Sequence, residues 1–197
     1  MRWPAAHAIP GCDPPKGTAM LYKHIYRPPE GFSEILLHSD GECLTGLWFT
    51  GVESREDHPS DAAEAPLPVF AQTCRWLDIY FSGEQPDFMP PYRLEGLSAF
   101  RYAVTQAMLA IPYGEVCTYG QLAAHIAAAR GGRMSAQAVG GAVGRNPISI
   151  LIPCHRVMGA DNALTGYGGG IQNKLALLAL EGHDPAALRL PKPKKRK

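Results

Sequence analysis

The chain has 197 residues, 46% of them hydrophobic, an ordinary balance for a soluble globular protein of one large or two small domains. No apolar stretch is long enough to span a bilayer, and five cysteines without CxxC spacing fit neither a disulfide framework nor a zinc knuckle, so a cytosolic protein with reduced thiols is expected. The net charge of +1 divides into −7 over residues 1–96 (7 Lys+Arg against 14 Asp+Glu), +3 over 97–191 (7 against 4) and +5 over 192–197 (5 against none), a polarity that points to a polyanion meeting the second half.

Residues 1–17 hold Pro4, Pro10, Pro14 and Pro15, carry no signal-peptide pattern, and read as a flexible arm. His7 and Cys12 would need partners elsewhere to hold a metal, and no metal is expected. Residues 21–27, 32–38 and 42–50 are short aliphatic and aromatic runs, the last two flanking the hairpin signal Ser39-Asp40-Gly41. Residues 53–66 are acidic and polar and read as a surface loop. Phe70, Cys74, Leu77 and Phe81 then recur at helical spacing before Gly83, which predicts an amphipathic helix with a glycine stop. Cys43 and Cys74 read as core residues. Residues 18–91 are thus expected to form a small α/β domain that ends in a proline-rich linker, and nothing in it points to a reaction.

In the second half, Ser98 caps a predicted helix whose Phe100, Val104, Met108 and Ile111 share a face. Thr118 and Gln121 have capping-box spacing and open a second helix. After the turn Arg130-Gly131-Gly132-Arg133, Ser135 caps a third, which ends before Asn146-Pro147. Two short helices around a tight turn outline a helix-turn-helix. The third helix is nearly all small residues, and each of its glycines costs about 1 kcal/mol relative to alanine. Close approach of its backbone to another surface, or tight packing inside the domain, would offset that. Side chains this small read few base edges, so any DNA binding here is expected to be weakly sequence-specific.

The apolar run Ile150-Leu151-Ile152 delivers Pro153-Cys154-His155-Arg156-Val157 to its end. A thiolate is the strongest nucleophile available at neutral pH, and a cysteine beside an imidazole is a candidate for covalent chemistry. Adjacent residues in extended chain face apart, so His155 reaches the sulfur only through a turn or a bridging water. A thiol of ordinary pKa near about 8.5 is already a few per cent ionised, so full ionisation gains only about tenfold. Positioning and help for the leaving group must supply more.

Gly114-Glu115-Val116-Cys117-Thr118-Tyr119, Ala138-Val139-Gly140-Gly141-Ala142, Asn146-Pro147, Pro153-Cys154-His155-Arg156-Val157, Gly166-Tyr167-Gly168-Gly169-Gly170 and Leu180-Glu181-Gly182 together resemble the O6-alkylguanine-DNA alkyltransferase family over residues 97–184. The resemblance implies an α+β fold: a small N-terminal α/β, ribonuclease-H-like domain, then a mainly helical domain over 92–185 with a winged-helix-like helix-turn-helix. It also implies a monomeric, cofactor-free DNA repair protein that binds the minor groove of double-stranded DNA. Such a protein flips the damaged nucleotide out and moves the alkyl group from guanine O6, and from thymine O4, onto its own cysteine once. By position, Cys154 is the acceptor, His155 the water-mediated base, Glu181 its orienting acid, Tyr119 the proton donor to guanine N3, and Asn146 the tie of the cysteine turn. DNA contacts fall to Ala136, Gln137, Ala138, Gly140 and Gly141, with Thr118, Ser135 and Arg145 at the helix ends. Val157, Tyr167, Gly168, Gly169 and Ser149 wall the pocket.

Gln137 departs from the pattern, because many family members carry an arginine there. The tail from Pro191 to Lys197 is a basic cluster within residues 186–197; it reads as a solvated end, an electrostatic hold on DNA or a nuclear localisation signal, so a cytoplasmic, nucleoid-associated protein is expected with the nucleus left open. Two competing classes are a thiol hydrolase using Cys154 and His155, and a damage sensor that binds alkylated bases without repair.

Overall fold

The computed structural model describes residues 20–52 and 61–191. The expected N-terminal arm, most of the acidic loop and the basic cluster 192–197 lie outside the described residues. β1 (Tyr22–Tyr26), β2 (Ile35–Ser39), β3 (Leu44–Phe49) and β4 (Ala63–Glu64) form one sheet in the order β3-β2-β1-β4, antiparallel except for the parallel β1–β4 pair. The two-residue β4 falls in the stretch read as loop; its acidic, alanine-rich sequence has no strand periodicity, and pairing with β1 alone creates it. The hairpin signal works as expected, since the Asp40 carboxylate accepts the backbone N–H groups of Glu42 and Cys43 and Gly41 takes φ +104°. A register shift between His38 and Ser39 lets both Leu44 and Leu47, three apart, enter the core, which strict alternation would forbid.

α1 (Pro68–Phe81) packs on this sheet through Val69, Phe70, Leu77 and Tyr80. Then follow α2 (Ala99–Leu109), β5 (Cys117–Thr118), α3 (Tyr119–Arg130), α4 (Ala136–Val143), a 3-10 turn over Cys154–Arg156, β6 (Val157–Met158) and α5 (Ile171–Leu180). Ser98, Thr118 and Ser135 are N-caps whose side chains accept backbone N–H groups, and Thr118 with Gln121 completes a capping box. β5 and β6 pair in parallel; that pair and α5 were not legible as elements. Among the described residues no helix is long and apolar enough to cross a membrane. Cys74, Cys117 and Cys154 are free, but Cys43 is disulfide-bonded, which corrects the expectation of reduced thiols throughout.

The two halves are stitched together where the site will lie. The Leu47 N–H donates to the Pro147 carbonyl and the Ser149 N–H to the Leu47 carbonyl, both at 2.9 Å, so the loop before Cys154 lies along the edge of β3. From α5, the buried Asn173 accepts the Ser33 N–H at 3.0 Å and donates to Ser33 Oγ and the Gly169 carbonyl. One apolar core runs through both halves, from Ile35 and Leu37 to Leu177. Asn173→Ala leaves these groups unpaired, and a loss of about 2 kcal/mol in urea-denaturation stability is expected.

Candidate active site

The apolar run 148–152 is a tight turn. Ile150, fully buried, adopts φ +68°, an unfavourable conformation for a β-branched residue. Asn146 brackets it: its Nδ2 donates to the carbonyls of Ile148 at 3.1 Å and Ile152 at 2.9 Å, and its Oδ1 accepts the Ile148 N–H. The same Nδ2 lies 3.1 Å from Cys154 Sγ. Asn146 therefore holds the strained turn and the sulfur together.

Cys154 and His155 occupy the 3-10 turn and are buried, His155 wholly. His155 Nε2 is 2.9 Å from Glu181 Oε1. Glu181 ends α5 and also takes Arg156, whose Nε and Nη2 donate at 2.8 to 3.1 Å, and the Gly114 N–H. Gly114 has φ +74°, and a side chain there would meet the Glu181 carbonyl, so this turn requires glycine. An ionised carboxylate accepts only, so Nε2 carries the imidazole proton and Nδ1 presents a lone pair. Nδ1 has no hydrogen-bond partner among the described residues.

Burial governs the charges here. It pushes the Cys154 thiol up, against the Asn146 hydrogen bond and the charge of Lys174, and it lowers His155 despite Glu181, keeping the imidazole neutral. Burial alone would raise Glu181 too, but the hydrogen bonds from His155 and Arg156 hold it well below the carboxylate range. Lys174 is brought down to about 8 by burial; its Nζ donates to the Val157 carbonyl at 2.6 Å and sits over the Tyr167 ring.

A cleft of about 20 Å³ beside Cys154 is lined by Tyr119, Asn146, Ser149, Tyr167 and Gly168. Outside it runs a groove of about 620 Å³ lined by Thr118, Ala136, Gln137 and Gly140. Tyr119 and Gly166 border both, and the Tyr119 hydroxyl accepts from Thr165 Oγ1 at 3.1 Å. Ala138, Gly141 and Arg145 are exposed beyond the groove, and Ser135 caps α4. Val157 and Gly169 do not line the cleft: Val157 is wholly buried and serves through its carbonyl, while Gly169 packs against Phe49 and Tyr167 so closely that a Cβ would collide.

Sequence reasoning missed three members. Arg156 lay inside the quoted motif without a role. Lys174 was visible as the sole charge within Ile171–Leu180, one helical face from Glu181. Tyr80 lay on the apolar stripe of α1 with no local sign of a distant partner.

A buried histidine–carboxylate pair behind a cysteine, beside a groove lined by residues of α3 and α4, is the arrangement of a protein that works through a thiol. The family described as 6-O-methylguanine DNA methyltransferase, DNA binding domain, matches residues 99–183. A methylated-DNA–protein-cysteine methyltransferase of Haemophilus influenzae is 44% identical over 83% of this chain and 87% of its own length, and one of Mycobacterium leprae is 48% identical over 76% and 86%. A crystal structure of Mycobacterium tuberculosis O6-methylguanine methyltransferase aligns with TM-score 0.70 at 39% identity, covering 82% of this chain and 93% of that one. Mycobacterium tuberculosis OGT in complex with DNA aligns with TM-score 0.66 at 37% identity, covering 86% and 94%. The chain belongs to the methylated-DNA–protein-cysteine methyltransferase family, DNA-binding methyltransferases of DNA repair.

Lys174 is a group whose folded pKa is depressed, so its contribution to stability is full above the unfolded value and is lost as pH falls toward about 8. In Lys174→Met the rise in stability between about pH 8 and 10.5 should disappear. The Cys154 thiol, deprived of a nearby cation, should titrate higher, read from thiolate absorbance or the pH dependence of alkylation by iodoacetamide.

Proposed function

We propose that this chain repairs O6-alkylguanine, and O4-alkylthymine, in double-stranded DNA by transferring the alkyl group once to Cys154. The observation that carries the reading is the shared wall: Tyr119 and Gly166 border both the outer groove and the cleft beside Cys154. A base leaving a duplex seated in the groove would therefore arrive at the sulfur past a phenol. The cleft of about 20 Å³ has room for about one water, so the flipped base is admitted only as the Tyr167–Gly168 edge moves aside.

The step assigns each buried group a task. The Cys154 proton passes through a water to His155 Nδ1, whose neutral form burial preserves, and Glu181 stabilises the imidazolium that results. The thiolate attacks the alkyl carbon, an S–C bond forms, and the C–O6 bond breaks with its electron pair going to the base. Tyr119 gives its proton to N3, so guanine departs neutral. Burial raises the Tyr119 hydroxyl, which keeps that proton in place until the base arrives. The attacked carbon is saturated, so no oxyanion forms, and proton donation to the leaving group is the main lever. A dialkyl thioether is inert to water near neutral pH, and one turnover per molecule follows.

Binding is assigned to the minor groove as a monomer, with the α3–turn–α4 unit and the β5–β6 pair acting as a winged helix-turn-helix. Gly141 supports this, because nothing lies within 4 Å of the place its Cβ would occupy; internal packing does not require that glycine, and close approach of DNA would. Gly140 is different, since a Cβ there would touch the Tyr119 ring. Residues 18–91 and 92–185 are taken as the two domains, and the sheet order β3-β2-β1-β4 supports the ribonuclease-H-like reading of the first. A cytoplasmic, nucleoid-associated setting completes the proposal.

Intact mass after incubation with duplex DNA holding one O6-methylguanine tests it. The wild type should gain one CH₂, saturating at one per molecule and mapping to Cys154, while Cys154→Ala gains none. Binding of the lesion without mass gain would mark a sensor, and turnover of thioesters or peptides a hydrolase. Gln137 is exposed on the groove, where an arginine would add a cation near phosphate. Gln137→Arg should tighten duplex binding and steepen its salt dependence by about one unit of log–log slope; equal affinity and slope would remove Gln137 from the interface.

A further inference from the structure

Tyr80 belongs to α1, in the half of the chain that carries no reacting group, yet its hydroxyl reaches the centre of the site. It donates to Glu181 Oε1 at 2.7 Å and lies 3.3 Å from His155 Nε2. The residue is 1% exposed. Its ring stacks on Trp76 at 5.4 Å and 8°, and stands edge-on to Phe81, Tyr113 and His155. Burial first, then the adjacent Glu181 carboxylate, pushes its pKa well above the ordinary tyrosine value. The phenol therefore keeps its proton throughout the working pH range and can only donate toward Glu181.

We infer that Tyr80 is a positioning residue for alkyl transfer: its hydroxyl fixes the Glu181 carboxylate and, through it, the orientation and basicity of His155. This rests on the function proposed above. Glu181 Oε1 is shared by Tyr80, His155 and Arg156. Arg156 is tied at its other end to the Ile111 carbonyl at 2.8 Å and stacked over Tyr113, so it fixes the carboxylate from one side only. Tyr80, pinned between aromatic rings, fixes it from the side of the first domain. Donation to Oε1 also withdraws charge from the oxygen that holds His155 Nε2–H, which restrains the rise in imidazole pKa that a bare carboxylate would cause. A base must be neutral when the thiol approaches, and that restraint keeps Nδ1 unprotonated at lower pH. The groups facing His155 are Glu181 and Lys174 from α5, Arg156 from its own turn and Tyr80 from α1, with Tyr113 beside Glu181. Of these, Tyr80 alone comes from the first half. The first domain thus supplies part of the catalytic arrangement, not merely a support for it.

Tyr80→Phe removes one oxygen and keeps the stacked ring. With O6-methylguanine duplex in single-turnover conditions, the second-order rate constant should fall about tenfold, the order expected for one hydrogen bond to a charged group. The acid limb of its pH profile should move upward and the urea midpoint should fall by no more than the loss of one buried hydrogen bond accounts for, while DNA affinity changes little. In a Glu181→Gln background the same substitution should have little further effect, because the hydroxyl acts through that carboxylate. A second measurement needs no DNA: the ¹⁵N resonances of His155 should show an Nε2–H tautomer in the wild type, with a titration midpoint that rises in Tyr80→Phe. An unchanged rate and acid limb, a limb that moves down, or an equal loss in the Glu181→Gln background would overturn the inference. If the wild type takes up no methyl group, the proposed function fails, and the ¹⁵N titration still decides the role of Tyr80.

Discussion

The structure depends on one buried carboxylate. Glu181 collects five N–H and O–H groups, from Tyr80, Gly114, His155 and twice from Arg156, and each comes from a different part of the chain or a different atom of the cysteine turn. An isolated carboxylate would not stay ionised in such a place. Surrounded by donors and a guanidinium, it stays charged, and every donor is held in a fixed direction in return. The end of α5, the loop before β5, the end of α1 and the reactive turn are thereby locked to a common point. A buried ion pair of this kind contributes little net stability; what it contributes here is direction, because the only free nitrogen of His155 is left facing away from the carboxylate.

Strain sits on the opposite side of the same turn. Ile150 at φ +68° costs of order 1–3 kcal/mol, and the cost is offset by the Asn146 side chain, whose one nitrogen reaches the carbonyls before and after it. That nitrogen also touches the sulfur. In the proposed function, the change at Cys154 from thiol to bulkier thioether would therefore act directly on the group that holds the strained turn. The edge of β3 holds the same segment through Leu47, so the turn is fixed by two strong constraints and one weak one, the contact at sulfur.

Local signals in the sequence carried what is local in the structure. The caps at Ser98, Thr118 and Ser135, the hairpin at Ser39-Asp40-Gly41 and the stripe of α1 could be read because each is decided by a few neighbouring residues. Cys154 and His155 stood out locally as a thiol beside an imidazole, but Asn146 and Glu181 were legible only through the family resemblance, since 8 residues separate Asn146 from Cys154 and 26 separate His155 from Glu181. Tyr80, 101 residues from Glu181, left no trace in the local pattern. β4 and β6 were invisible for a further reason: two-residue strands exist by pairing alone, and no periodicity can be written in two residues.

Taken with the proposed function, charge polarity and the closed cleft imply an order of events. The basic second half and the groove along α4 act at a distance and on any duplex, because phosphate attraction is independent of sequence. In the proposed function the cleft acts last and only on a base already out of the stack, since its volume of about 20 Å³ excludes one. Selectivity for damage then resides in neither the groove nor the thiol alone. An alkylated guanine pairs poorly and leaves the duplex at less expense than an intact one, and an intact guanine that enters offers the sulfur no carbon to attack. Small side chains on α4 fit this division, since a helix that needs only to reach the backbone has no use for long ones.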